Sequence, residues 1–152
     1  MGFTDAHSSG RAIPGANHTF VMAVDPTTGA IYASRGGPGS GAGGAPGIGP
    51  VTFVANSGPY NAGFPDYGSV HGVQTVGYVN APYSQVTSYM DAYAAAVNTS
   101  GITYMGTSQN SNSFTGFLLA GLGFGTLPAT AMSAPGFGED YKPIPNLMCT
   151  TP

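Results

Sequence analysis

The segment Gln109-Asn-Ser-Asn-Ser-Phe114 places a serine hydroxyl where the pattern predicts the start of a helix. A hydroxyl there lies beside the partial positive charge of the helix end, and free backbone N–H groups nearby can hold a developing oxyanion. The dipole alone does not ionise serine, so an imidazole within hydrogen-bond reach must take the proton. His18, at the start of a predicted strand about ninety residues upstream, is the candidate base, and Ser111 is the candidate nucleophile. A plain structural role competes with this chemistry. Asn, Ser, Asn and Ser are preferred helix caps, and a helix start is where they belong.

Other chemistry-bearing residues point less sharply. Asp66 and His71 are close enough in sequence to pair, although a loop Asp and His are more often solvated. Asp25 is explained by its turn. Arg35 is one of three cations, with Arg11 and Lys142, and borders a Gly-rich stretch where it could hold a carboxylate or phosphate. Glu139 and Asp140 sit in a Gly/Pro-flanked tail and do not form a glycosidase-type carboxylate pair. Tyr89, Tyr93 and Tyr104 suit core and rim better than a sugar platform. The single Cys149 and the scattered His7, His18 and His71 have no ligand spacing, so no metal and no cofactor is expected. The Gly-rich stretch contains no Gly-Lys-Ser/Thr, which removes a phosphate-loop reading.

Asn110-Ser111-Asn112-Ser113-Phe114 resembles the Asn-Cys-x-x-Phe motif of circularly permuted papain-like (NlpC/P60-like) proteins, with Ser111 in the place of the cysteine. In permuted members of that superfamily the catalytic His lies on an early hairpin strand and the nucleophile opens a later helix. His18 and Ser111 follow that order. The segment from His18 to Pro38, with its Asp-Pro-x-x-Gly turn, also resembles the start of small serine-variant domains of bacterial and phage proteins. The resemblance implies a permuted papain-like fold and a hydrolase or acyltransferase acting on a peptide or lipid acyl substrate. Serine is a poorer nucleophile than cysteine, so its presence either adapts the site to another acyl substrate, with esters favoured, or marks a dead enzyme.

Papain-like families place a polar residue on the neighbouring strand to orient the His. With a turn centred near Thr27, residues whose numbers sum to about 54 face one another across the hairpin. His18, Phe20 and Met22 then share a face with Ser34 and Tyr32. Ser34 is therefore the expected third catalytic residue and Tyr32 its alternate. A bulge at Gly29 would shift the register by one and bring in Arg35 instead. Tyr32, Arg35, Asn110 and Asn112 are the expected substrate-binding residues.

The elements that must position these groups form an α+β pattern: a small antiparallel sheet packed against two helices. His18–Val24 and Ala30–Arg35 read as a hairpin around Asp25-Pro-Thr-Thr-Gly29. Strands follow at Val51–Ala55 and Gly72–Val79. Ser84 is the expected cap of a first helix whose Val86, Tyr89, Met90, Tyr93 and Val97 recur at helical spacing, closed by Asn98 and Gly101. The second helix, from Asn110–Ser113, should bury Phe114, Phe117, Leu118 and Leu122. A single domain over 1–152 is expected, with a Gly/Pro-rich loop at 36–50 and an irregular C-terminal tail at 128–152.

Composition narrows the partners. Hydrophobic residues make up 41% of the 152, enough for a core, but charged residues only 6%. Three cations assemble no basic patch, which excludes phosphate-driven nucleic-acid binding and a polybasic membrane anchor. The longest apolar stretch, Phe117–Phe124, is too short to span a bilayer and is broken by Gly121 and Gly123. MGFTDAHSSGR shows no secretory signal and fails the myristoylation pattern. Low charge with abundant Gly and Pro fits an extracellular or particle-associated protein exported without a visible signal. The alternative function is a non-catalytic structural or binding module, a particle or filament component that self-assembles while keeping a hydrolase-like fold.

Overall fold

The computed structural model describes residues 2–8, 18–39, 51–104 and 110–124. Its elements are β1 (Gly2–Ser8), β2 (His18–Val24), β3 (Ile31–Pro38), β4 (Val51–Pro59), β5 (Val70–Tyr78), α1 (Tyr83–Thr99), β6 (Thr103–Tyr104) and α2 (Ser111–Gly121). The strands are ordered β5-β1-β2-β3-β4-β6, each pair antiparallel. The expected α+β arrangement, an antiparallel sheet packed against two helices, is what the chain adopts. β1 is an addition: it enters between β2 and β5, so strands distant in sequence share a ladder with it. β6 is likewise new.

The hairpin register decides which side chains meet. Asp25 accepts hydrogen bonds from the Thr27 N–H at 2.9 Å and from the Thr28 hydroxyl at 2.7 Å, which closes the turn. Gly29 then takes φ +73°, a left-handed conformation that costs glycine nothing and other residues about 1 kcal/mol or more. The extra residue shifts the pairing to Val21 opposite Ser34 and Val24 opposite Ile31, a sum of 55 rather than 54. Even-numbered β2 residues therefore share a face with odd-numbered β3 residues. His18 stands with Phe20, Met22, Ala33 and Arg35, and Ser34 and Tyr32 turn to the other side.

Both faces of β2 are covered. On one side Val21 and Ala23 pack with Phe53 and Ala55 of β4 and with Val86, Met90, Val97, Phe114, Leu118 and Leu119 of the helices. On the other, Phe20, Met22 and Ala33 are sealed by Phe64 from the β4–β5 connection. Complete burial of side chains such as Phe20, Phe53 and Phe114 stabilises the fold by about 1.5–3 kcal/mol each.

α1 begins one residue before the expected cap. Pro82 occupies the cap position without a side-chain hydrogen bond, and its carbonyl accepts from the Gln85 and Val86 N–H groups. Ser84 is thus inside the helix, because the fixed φ of proline already presents its carbonyl to the first turn. At the other end Asn98 docks α1 on β4: its Oδ1 accepts from the Ala55 N–H at 2.8 Å and its Nδ2 donates to the Ala55 carbonyl at 2.9 Å.

The Gly/Pro-rich stretch corrects a further expectation. Its first residues are strand: Gly36, Gly37 and Pro38 pair with Ala55, Val54 and Phe53. A Cβ on Gly36 would meet the Phe53 ring and lie 2.8 Å from the Phe114 Cβ, so glycine here permits close approach of helix and sheet. Residues 40–50 and the expected tail at 128–152 lie outside the described residues. No helix among the described residues is long and apolar enough to cross a membrane.

Candidate functional site

The site forms where the β2–β3 ladder stops. Pairing with β3 runs only from Val21 to Val24, and before Val21 the start of α2 takes the place of the neighbouring strand. Asn112 Oδ1 accepts from both the Thr19 N–H and the Thr19 hydroxyl, each at 2.9 Å. The Thr115 hydroxyl donates to the Thr19 carbonyl at 3.0 Å. Every polar group of this fully buried threonine is thereby held by α2. Thr19 is the neighbour of His18 and Asn112 the neighbour of Ser111, so the latch ties the chain segments that carry the two candidate residues, while the His18 side chain itself belongs to the opposite face of β2.

The first turn of α2 is built by its own cap. Asn110 Oδ1 accepts from the Asn112 N–H at 2.9 Å and the Ser113 N–H at 3.1 Å, and the Asn110 N–H donates to Ser113 Oγ at 2.9 Å. This reciprocal box satisfies the second and third N–H groups of the helix. The N–H of Ser111, the first helical residue, is outside it. Ser111 is 5% exposed. The phenol of Tyr104 lies beside it: burial pushes that phenol up, and the Ser111 hydroxyl and N–H and the Arg35 charge pull the other way. Among the described residues no hydrogen bond joins Ser111 to His18.

Asp66 supplies the imidazole partner. His18 Nε2 lies 2.9 Å from Asp66 Oδ2, which assigns the Nε2–H tautomer and turns Nδ1 away from the carboxylate. Phe20 packs against the ring with centroids 6.3 Å apart and an interplanar angle of 29°. Asp66 is carried by a turn-rich loop in which Phe64 is anchored on Phe20, at 6.0 Å between centroids. The Tyr67 and Ser69 N–H groups donate to the carbonyls of Phe64 and Asp66, and the Ser69 hydroxyl reaches the Asp66 carbonyl at 2.7 Å. Arg35 Nε lies 2.9 Å from the same Oδ2, although it is out of line for a hydrogen bond. Burial pushes the Asp66 carboxyl up, but the His18 hydrogen bond and the charges of His18 and Arg35 outweigh it and hold it below 3.8.

Two sequence expectations are corrected by this arrangement. Ser34 does not orient His18: it lies fully buried on the helix face, and its Oγ has no hydrogen-bond partner among the described residues. Tyr32 shares that face and donates to Asp91 Oδ1 of α1 at 2.6 Å, away from the imidazole. Asn110 and Asn112 are 3% exposed, and their side-chain oxygens accept from helix and strand N–H groups. The one-residue register shift explains both corrections. Sequence proximity pairs Asp66 with His71, whose side chain lies outside the described residues. Nothing in local spacing brings Asp66 to His18, forty-eight positions away; the packing of Phe64 and Tyr60 on Phe20 does so.

Among the described residues no group of three His, Cys, Asp or Glu side chains gathers to hold a metal ion. Compared with protein-family models, with curated proteins and with solved structures, the chain matches none.

Proposed function

We propose that the chain is a serine hydrolase or acyltransferase of permuted papain-like fold, acting on the ester or amide bond of a lipid acyl or peptide substrate. Ser111 Oγ attacks the carbonyl and His18 Nδ1 takes its proton. The same nitrogen then returns the proton to the leaving alcohol or amine, and afterwards deprotonates the water or acceptor alcohol that takes the acyl group from Ser111, whose Oγ recovers the proton. Asp66 holds the ring and offsets the charge of the imidazolium, while the Ser111 N–H exchanges its contact with the Tyr104 phenol for one to the oxyanion. The carrying observation is the 2.9 Å His18–Asp66 contact through Nε2, which leaves Nδ1 as the basic nitrogen. An extracellular or particle-borne setting in bacteria or phage belongs to the same proposal.

A fluorophosphonate probe with intact-mass detection tests it. One phosphonyl group should attach to the wild type, none to Ser111→Ala, and His18→Ala should react slowly while keeping a native circular dichroism spectrum. Equal labelling of wild type and Ser111→Ala would refute the assignment.

A second reading has its own support in the 5% exposure of Ser111 and the absence of a hydrogen bond between Ser111 and His18. On that reading the chain is a non-catalytic structural or binding module. It would show no phosphonylation and would self-associate in sedimentation velocity, with Ser111→Ala silent in both assays.

A further inference from the structure

Two nitrogens meet on a single carboxylate oxygen. His18 Nε2 and Arg35 Nε each lie 2.9 Å from Asp66 Oδ2, and the three side chains are 13%, 19% and 13% exposed for His18, Arg35 and Asp66. Arg35 faces this side of the sheet because Gly29 shifts the hairpin register by one. Its guanidinium lies over Gly37, where a Cβ would collide with it. We propose that Arg35 is a positioning residue: it fixes Asp66 so that the His18 ring keeps one orientation, with Nε2–H on the carboxylate, in both the neutral and the protonated state.

The argument rests on which charges persist. In a proton-transfer cycle the imidazole alternates between neutral and cationic, so its pull on Asp66 rises and falls. Guanidinium remains charged throughout. A carboxylate held by His18 alone would be held less firmly each time the ring loses its proton. With Arg35 on the same oxygen, the acceptor stays in place and the Nε2–H···Oδ2 contact persists. Because Asp66 already neutralises the guanidinium, Arg35 has little charge left to recruit an anionic substrate, contrary to the substrate-binding role its type suggests. The Nε N–H is out of line with Oδ2, which marks a charge contact rather than a bidentate fork.

This inference rests on the proposed Ser111–His18–Asp66 chemistry for its kinetic consequence, but its structural core can be read without turnover. The full chain, labelled with ¹⁵N-histidine, reports the His18 tautomer directly, with the signal assigned by its loss in His18→Gln. Wild type should show a single Nε2–H form. Arg35→Gln should move both ring nitrogens toward tautomer-averaged shifts, and Arg35→Lys, which restores the charge, should return them. Arg35→Met keeps the aliphatic stem over Gly37 and replaces the Gln variant if that does not fold. With an ester substrate, kcat should fall between about tenfold and a hundredfold in Arg35→Gln at constant KM. Wild-type ring shifts in both charge-removing variants would overturn the proposal. So would a change confined to KM, which would return Arg35 to substrate binding. If the wild type does not turn over, the catalytic reading fails while the tautomer measurement still decides the role of Arg35.

Discussion

Replacing Asn112 with Ala removes the acceptor that joins α2 to β2. Two donors of the same residue lose their partner, the Thr19 N–H and the Thr19 hydroxyl, both 2.9 Å from Asn112 Oδ1. The hydroxyl can rotate, but the backbone N–H cannot, and Thr19 is wholly shielded from water. A buried donor left without a partner costs about 1–3 kcal/mol, and loss of the second bond adds about 1 kcal/mol. The expected destabilisation is therefore about 2–4 kcal/mol, a large share of the roughly 5–15 kcal/mol typical of a domain. For a chain of this length that lowers Tm by about 5–15 °C. Urea denaturation with a matched thermal melt measures it. A double-mutant cycle with Thr19→Val isolates the hydroxyl bond, for which a coupling of about 1 kcal/mol is expected. Below the transition, Asn112→Ala should also react more slowly with the fluorophosphonate probe, if Ser111 is the nucleophile proposed above, because the first turn of α2 loses its tie to β2. A loss of less than about 1 kcal/mol would refute the latch, showing that the Thr19 N–H finds another partner when Asn112 is gone.

Three further outcomes follow from the same geometry. The depressed carboxyl of Asp66 stabilises the fold above its unfolded value of 3.8 and ceases to do so as pH falls through its lower folded value, so the stability gap between wild type and Asp66→Asn should be open at pH 7 and shrink below about pH 4 in urea titrations. Gly36→Ala drives a Cβ into the Phe53 ring and against Phe114, and it should cost about 1–3 kcal/mol by chemical denaturation without altering the hairpin. Tyr32, whose phenol is pushed up to about 12 by burial and by the Asp91 carboxylate, should ionise late in absorbance titration together with Tyr83 and Tyr104, and Tyr32→Phe should remove one phenol from that late phase.

Local chemistry is legible in this sequence wherever a few neighbouring residues decide the outcome. Asp25-Pro-Thr-Thr-Gly29 specifies the hairpin because Asp25 closes its own turn and Gly29 accepts a positive φ. Asn110-Ser-Asn-Ser113 specifies a helix start because the cap is satisfied within four residues. The apolar spacing of Val86, Met90, Tyr93 and Val97 specifies the buried face of α1.

Tertiary structure decided what depends on register and on contacts between distant segments. A single added residue at Gly29 moved Ser34 and Tyr32 to the helix face and put Arg35 beside His18, since side chains alternate with a period of two. β1 gained its place only by pairing with β2 and β5 together, a choice no local propensity encodes. Asp66 became the partner of His18 because Phe64, two residues before it, fills the apolar space over Phe20, Met22 and Ala33 and fixes the loop there. The residue types at the site are written in the sequence. Which carboxylate meets which imidazole is set by the burial of a phenylalanine, and that preference exists only once the sheet has formed beneath it.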